Sequence, residues 1–65
     1  MKDREKLKHL LHHWQEHNHE HAATYKEWAE RASSSGHGEL SKILGRLYEE
    51  TRRLDILFEE ALKAL

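Results

Sequence analysis

A chain of 65 residues with no cysteine and no proline makes one domain at most, and so short a chain buries too small a share of its surface to stand easily as a monomer. The missing thiol fits a reducing cytoplasm and excludes disulfides, thiolate zinc sites and thiol chemistry. The net charge of −1, with acidic and basic residues interspersed, leaves no electrostatic footprint for nucleic acid or an anionic membrane.

At the N-terminus the apolar run Leu7, Leu10, Leu11 is interrupted by charges, unlike the continuous stretch of a signal peptide or membrane span. A soluble, cytoplasmic protein is expected. From Leu7 to Ala32 the large apolar residues stand at 7, 10, 11, 14, 25, 28 and 32. At 3.6 residues per turn these share one face, which predicts an amphipathic helix over about residues 3–32. The run Ser33-Ser34-Ser35-Gly36-His37-Gly38 breaks the pattern, with Gly36 suited to a left-handed helix stop, so the turn is placed at 33–38. Leu40, Ile43, Leu44, Leu47, Leu54, Leu57, Phe58, Ala61 and Leu65 then repeat the period, predicting a second helix over about 39–64.

So short a turn permits only an antiparallel pair, and the chain is read as a single all-α helical-hairpin domain, 1–65. Residues whose numbers sum to about 71 should lie side by side, which sets Trp14 level with Leu57, Tyr25 near Leu47 and Tyr48, and His21 near Glu50 and Thr51. Two helices packed stripe to stripe leave apolar surface uncovered, so a homodimeric four-helix bundle is the expected architecture. Gly45, with Ser41 one turn before it, makes a notch where another helix could approach, or is simply a tolerated exposed glycine.

Six of the seven histidines fall between positions 9 and 21. On a helical wheel His21 lies at the apolar centre, His17 at its edge, and His13 at the flank with Glu20. His9, His12 and His19 point toward solvent. The series His9, His13, His17, His21 advances by four, so neighbouring members present imidazoles on adjacent turns, the spacing at which one helix chelates an ion. Four residues overshoot a turn by about 40 degrees, so the ladder spirals and cannot serve one site as a whole.

The strongest candidate ligands are His17 and His21, with Glu50 of the same or a neighbouring subunit as a third. His13 with Glu20 extends a more exposed set. Nitrogen with carboxylate suits zinc, nickel, cobalt, copper or iron without choosing among them. The competing reading makes Asn18, His21, Glu50 and Thr51 a hydrogen-bonded polar layer that fixes register. His37 reads as a turn residue, Trp14 and Trp28 as core anchors, and Glu49, Arg52, Arg53, Asp55, Glu59 and Glu60 as the ordinary charged face of the second helix.

The segment from Leu10 to Ala22, with its Leu-Leu-x-His-Trp, His-Asn and Glu-His-Ala steps and the later Tyr25 and Trp28-Ala29, resembles a group of small prokaryotic helical-hairpin domains. The resemblance lies mainly in the first helix, where Trp14, His17, Asn18, His21 and Trp28 carry it. It implies an accessory to histidine-rich metal-handling proteins of the nickel or cobalt type, and such a protein as a partner. A di-iron carboxylate bundle is the nearest enzymatic comparison, but Glu16 and His19 face away from the apolar stripe and the second helix has no histidine. No thiol, phosphate loop or roomy pocket is foreseen, and an enzyme is not expected. The functional expectation is a small metal-binding or metal-buffering accessory, against a structural or interaction bundle with a histidine-containing polar layer.

Overall fold

A computed structural model describes residues 2–65, and the side chains of residues 3–65. The helices are α1 (Lys2–Ser34) and α2 (Gly38–Ala64), packed along each other as a hairpin. Acidic side chains open each helix (Asp3 and Glu5; Glu39), and Arg31 and Lys63 close them. Each charge is complementary to the helix dipole at its end.

The turn needs only residues 35–37. Gly36 takes φ +83, a left-handed conformation that costs a side-chain-bearing residue about 1 kcal/mol or more. His37 N–H donates to the Ala32 carbonyl at 2.8 Å and Gly36 N–H to Ser33 at 3.3 Å, the paired closure of a Schellman motif. The Ser35 hydroxyl lies 2.9 Å from the Arg31 carbonyl and 3.1 Å from His37 Nδ1. The His37 carbonyl accepts the first bond of α2, from Ser41 N–H at 2.9 Å. His37 is thus the turn residue expected of it.

Contacts between the helices follow a heptad rhythm. The less exposed positions of α1 include Leu11, Gln15, Asn18, Ala22, Tyr25, Ala29 and Ala32, and those of α2 include Ser41, Leu44, Tyr48, Thr51, Asp55, Phe58, Leu62 and Leu65. Steps of four and three give a mean period of 3.5, the spacing that keeps two helices in register along a seam. Two hydrogen bonds cross it near its middle and its turn end: Asn18 Nδ2 donates to the Thr51 carbonyl at 2.7 Å, and Ser41 Oγ to the Ala29 carbonyl at 2.7 Å. Both pairs lie within two of the expected sum of about 71. Farther out, Gln15 Nε2 bonds Glu59 at 2.8 Å and Arg4 Nε the Leu65 carbonyl at 2.8 Å.

The composition of this seam differs from the expectation of stripe packed on stripe. Its two buried residues are alanines, Ala22 at 6% and Ala32 at 7% exposure, whereas Trp14 is 46%, Trp28 51% and Leu57 58% exposed. Most of the exposed large apolar side chains stand one residue earlier than the seam: Trp14 and Trp28, with Leu10, His17 and His21, in α1, and Leu40, Ile43, Leu47, Leu54 and Leu57 in α2. One residue rotates a position by about 100 degrees. Because the helices are antiparallel, that rotation carries both stripes to the same side of the hairpin. They lie side by side there instead of facing each other, so Trp14 and Leu57 share a level but do not close an interior.

A slab results, 53 × 15 × 10 Å, with a radius of gyration of 15.3 Å where a compact 65-residue domain would have about 11 Å. It exposes 5445 Å², roughly 1,000 Å² more than a compact monomer of its mass. Gly45 adds nothing to the packing of the pair, since a Cβ there would meet no atom within 4 Å. It lies on the opposite, polar side, with Lys42, Glu49 and Arg52.

Candidate functional site

The histidine ladder forms because α1 runs unbroken through it. Ring centroids are 5.0 Å apart for His13 and His17 and 5.7 Å apart for His17 and His21, and His21 stacks on Tyr25 at 6.1 Å. All three imidazoles are exposed. His21 is therefore at the centre of the apolar side, as its position on the wheel requires, but not in the interior of a single hairpin. The interior position next to it belongs to Ala22.

Glu50 stands on the same side of α2, close to the level of His21, and pairs loosely with Arg53 at 3.8 Å. Glu20 contributes its backbone carbonyl to the Thr24 hydroxyl at 3.1 Å. Among the described residues of one chain, no three His, Asp or Glu side chains are gathered closely enough to hold a metal ion. The hairpin brings two imidazoles together on adjacent turns and leaves the carboxylate candidates apart from them.

Two features of the polar side escaped the sequence reading. Asp55 occupies a seam position, not an open charged face, and its Oδ2 pairs with His19 Nε2 across the helices. Its Oδ1 is buried with no partner among the described residues. Both were accessible from the heptad count, since Asp55 follows Thr51 by four and Tyr48 by seven. Nearby, Lys26 and Arg52 each lie 5.6 Å from the Tyr48 ring centroid and line a shallow open groove with His19 and Asp55. Asn18, by contrast, makes the cross-helix bond that a register-fixing polar layer calls for, with Thr51 supplying its backbone instead of its hydroxyl.

No helix among the described residues is long and apolar enough to cross a membrane. The fold and the site together define a two-helix hairpin with a small-residue seam, whose uncovered apolar side carries a histidine pair at its middle. The chain belongs to the family described as "Domain of unknown function (DUF8180)", whose profile matches residues 7–65. The match spans both helices, beyond the first-helix segment that carries the resemblance noted above. A protein of Archaeoglobus fulgidus described as "Uncharacterized protein" is 39% identical over 57 residues, which cover 88% of this chain and 90% of the relative. No solved structure matches significantly.

Proposed function

We propose that this protein is a small transition-metal-binding or metal-buffering accessory that works as a four-helix bundle of two hairpins. One observation carries the reading: His17 and His21, with ring centroids 5.7 Å apart, sit in the middle of an uncovered side whose ends are apolar. Imidazoles on adjacent turns can rotate their free nitrogens toward one ion, and a surrounding apolar surface lowers the competition from water once it is covered. Zinc, nickel, cobalt, copper and iron all accept such nitrogen donors with a carboxylate. A partner that delivers or receives the metal, and a cytoplasmic location, belong to this proposal.

The alternative, a structural bundle with a polar layer and no specific metal, draws on the Asn18–Thr51 bond. Calorimetric titration with zinc and with nickel separates the two. The parent chain and His12→Ala should bind alike, and His21→Ala should lose at least tenfold in affinity while circular dichroism shows it still helical. Equal binding by His21→Ala and the parent would move the metal site from this pair to the outer histidines, and no uptake by the parent would sink the metal reading in favour of the bundle.

A further inference from the structure

The apolar side is a strip of paired levels. With partners summing to about 71, Leu10 stands beside Ala61, Trp14 beside Leu57, His17 beside Leu54, His21 beside Glu50, Thr24 beside Leu47, and Trp28 beside Ile43. Every level holds one residue from α1 and one from α2; the polar pair His21/Glu50 lies between the mixed levels His17/Leu54 and Thr24/Leu47, with the apolar levels Trp14/Leu57 and Trp28/Ile43 beyond.

We infer that a second copy of this chain covers the strip with its two-fold axis parallel to the helices, so that each α1 lies on the α2 of the other copy and both turns sit at one end. The excess of roughly 1,000 Å² over a compact monomer is close to the approximately 800 Å² that each partner gives to a standard interface. An isologous interface also demands a self-complementary patch, in which residue i meets j while j meets i. The strip satisfies this level by level: Trp14 on Leu57, Trp28 on Ile43 and, at the centre, His21 on Glu50 of the second copy, each contact made twice.

The other face-to-face orientation places turns at opposite ends and stacks each helix on its own counterpart. It sets Glu50 against Leu54, covering a carboxylate whose intrachain partner is the loose 3.8 Å pair with Arg53, and a buried charge so weakly compensated is disfavoured. The same-end arrangement gives that carboxylate an imidazole. Resting on the metal reading above, it also completes the site: His17 and His21 of one chain meet Glu50 of the other, making two equivalent composite sites per dimer.

Two measurements test this separately. The chain has no cysteine, so Ser34→Cys and Ala23→Cys each carry a single spin label on an exposed position, and pulsed dipolar spectroscopy on metal-free protein reads the orientation. Ala23 lies on the polar side but close to the level of the strip's centre, so its label gives a similar distance in either orientation. Ser34 lies about 22 Å along the axis from that centre. Same-end docking gives a Ser34 distance below about 30 Å, and opposite-end docking about 45 Å. A Ser34 distance of about 45 Å with the Ala23 coupling retained overturns the orientation and leaves the dimer, whereas no coupling at either label overturns self-docking. For the composite site, His21→Ala and Glu50→Ala chains are mixed and titrated with zinc. About a quarter of the parental sites should reappear, because half of the dimers in an equimolar mixture are heterodimers and each restores one intact His17–His21–Glu50 set of its two. Absence of recovery while the parent binds zinc overturns the shared site, and a parent that binds no zinc overturns the metal reading without touching the spin-label result.

Discussion

The seam and the apolar side of the hairpin lie one residue apart on each helix yet are built on opposite principles. The seam sets alanines, Ser41 and Asn18 among Leu11, Tyr25, Leu44, Tyr48, Phe58 and Leu62; the small residues let the helices approach closely, and Asn18 and Ser41 tie them by side-chain bonds to backbone carbonyls. The apolar side uses tryptophan, leucine and isoleucine, left roughly half exposed. Pairing within the chain thus consumes little of its hydrophobic surface. The residues that hold the hairpin's geometry and most of its large apolar side chains are separate sets, and the hairpin itself leaves the second set roughly half exposed.

The largest test of this division is Trp28→Ala. If a second hairpin covers the apolar side, truncation removes a buried aromatic and costs about 3–5 kcal/mol, read as a large drop in melting temperature together with dissociation in sedimentation. Ile56→Ser, away from both stripes, should shift neither. A Trp28→Ala protein that melts like the parent would leave the apolar side facing water and dissolve the distinction.

Ala22→Leu attacks the seam instead. The added carbons have no room between the helices, and overpacking of this kind costs about 1–3 kcal/mol. Ala23→Leu, one residue away on the polar side, should change the denaturation midpoint little. Comparable losses in the two variants would mean that the helices are not closely packed at Ala22.

Asn18→Ala removes the side-chain bond to the Thr51 carbonyl and should destabilise by about 1 kcal/mol, measured by urea unfolding. The effect should persist in dilute protein, because the bond lies within one chain. A loss visible only at concentrations that favour association would move Asn18 from the seam to an interface between copies.

The smallest effect carries the opposite sign. Gly45 lies on the polar side, a Cβ there meets nothing within 4 Å, and Gly45→Ala should stabilise by up to about 1 kcal/mol through helix propensity alone. A destabilised Gly45→Ala would show that the polar side, not the apolar one, is where another helix docks.

Much of the fold was legible in the residues. Helix limits agree to within two positions, because Gly36 and the serine run are strong local signals, and the approximate sum of 71 follows from the turn alone. The choice of contact face was harder. A wheel weighted by large apolar residues centres between Trp14, His21 and Ala32, of which only Ala32 lies in the seam, and passes over Gln15, Asn18, Ala22, Ala29 and Asp55, whose heptad spacing marks the seam while carrying almost no hydrophobicity. For the same reason His21 reads as a core residue when it is central only to an open side, and His19 reads as solvated when Asp55 answers it across the helices. The adjacency of His13, His17 and His21 was visible in their spacing. The position of Glu50 relative to them depends on a surface one chain does not close.

The three-residue turn has a kinetic consequence. Contacts across the hairpin grow steadily in sequence separation, from 12 for Ser41–Ala29 through 33 for Asn18–Thr51 to 61 for Arg4–Leu65, and each longer loop costs more entropy to close. Pairing should therefore start at Gly36 and advance like a zipper toward the chain ends, with every step supported by the one before. Amide exchange would record the order in reverse, protection falling from residues near the turn to those around Arg4 and Leu65; uniform protection along both helices would mean that the hairpin opens as one unit.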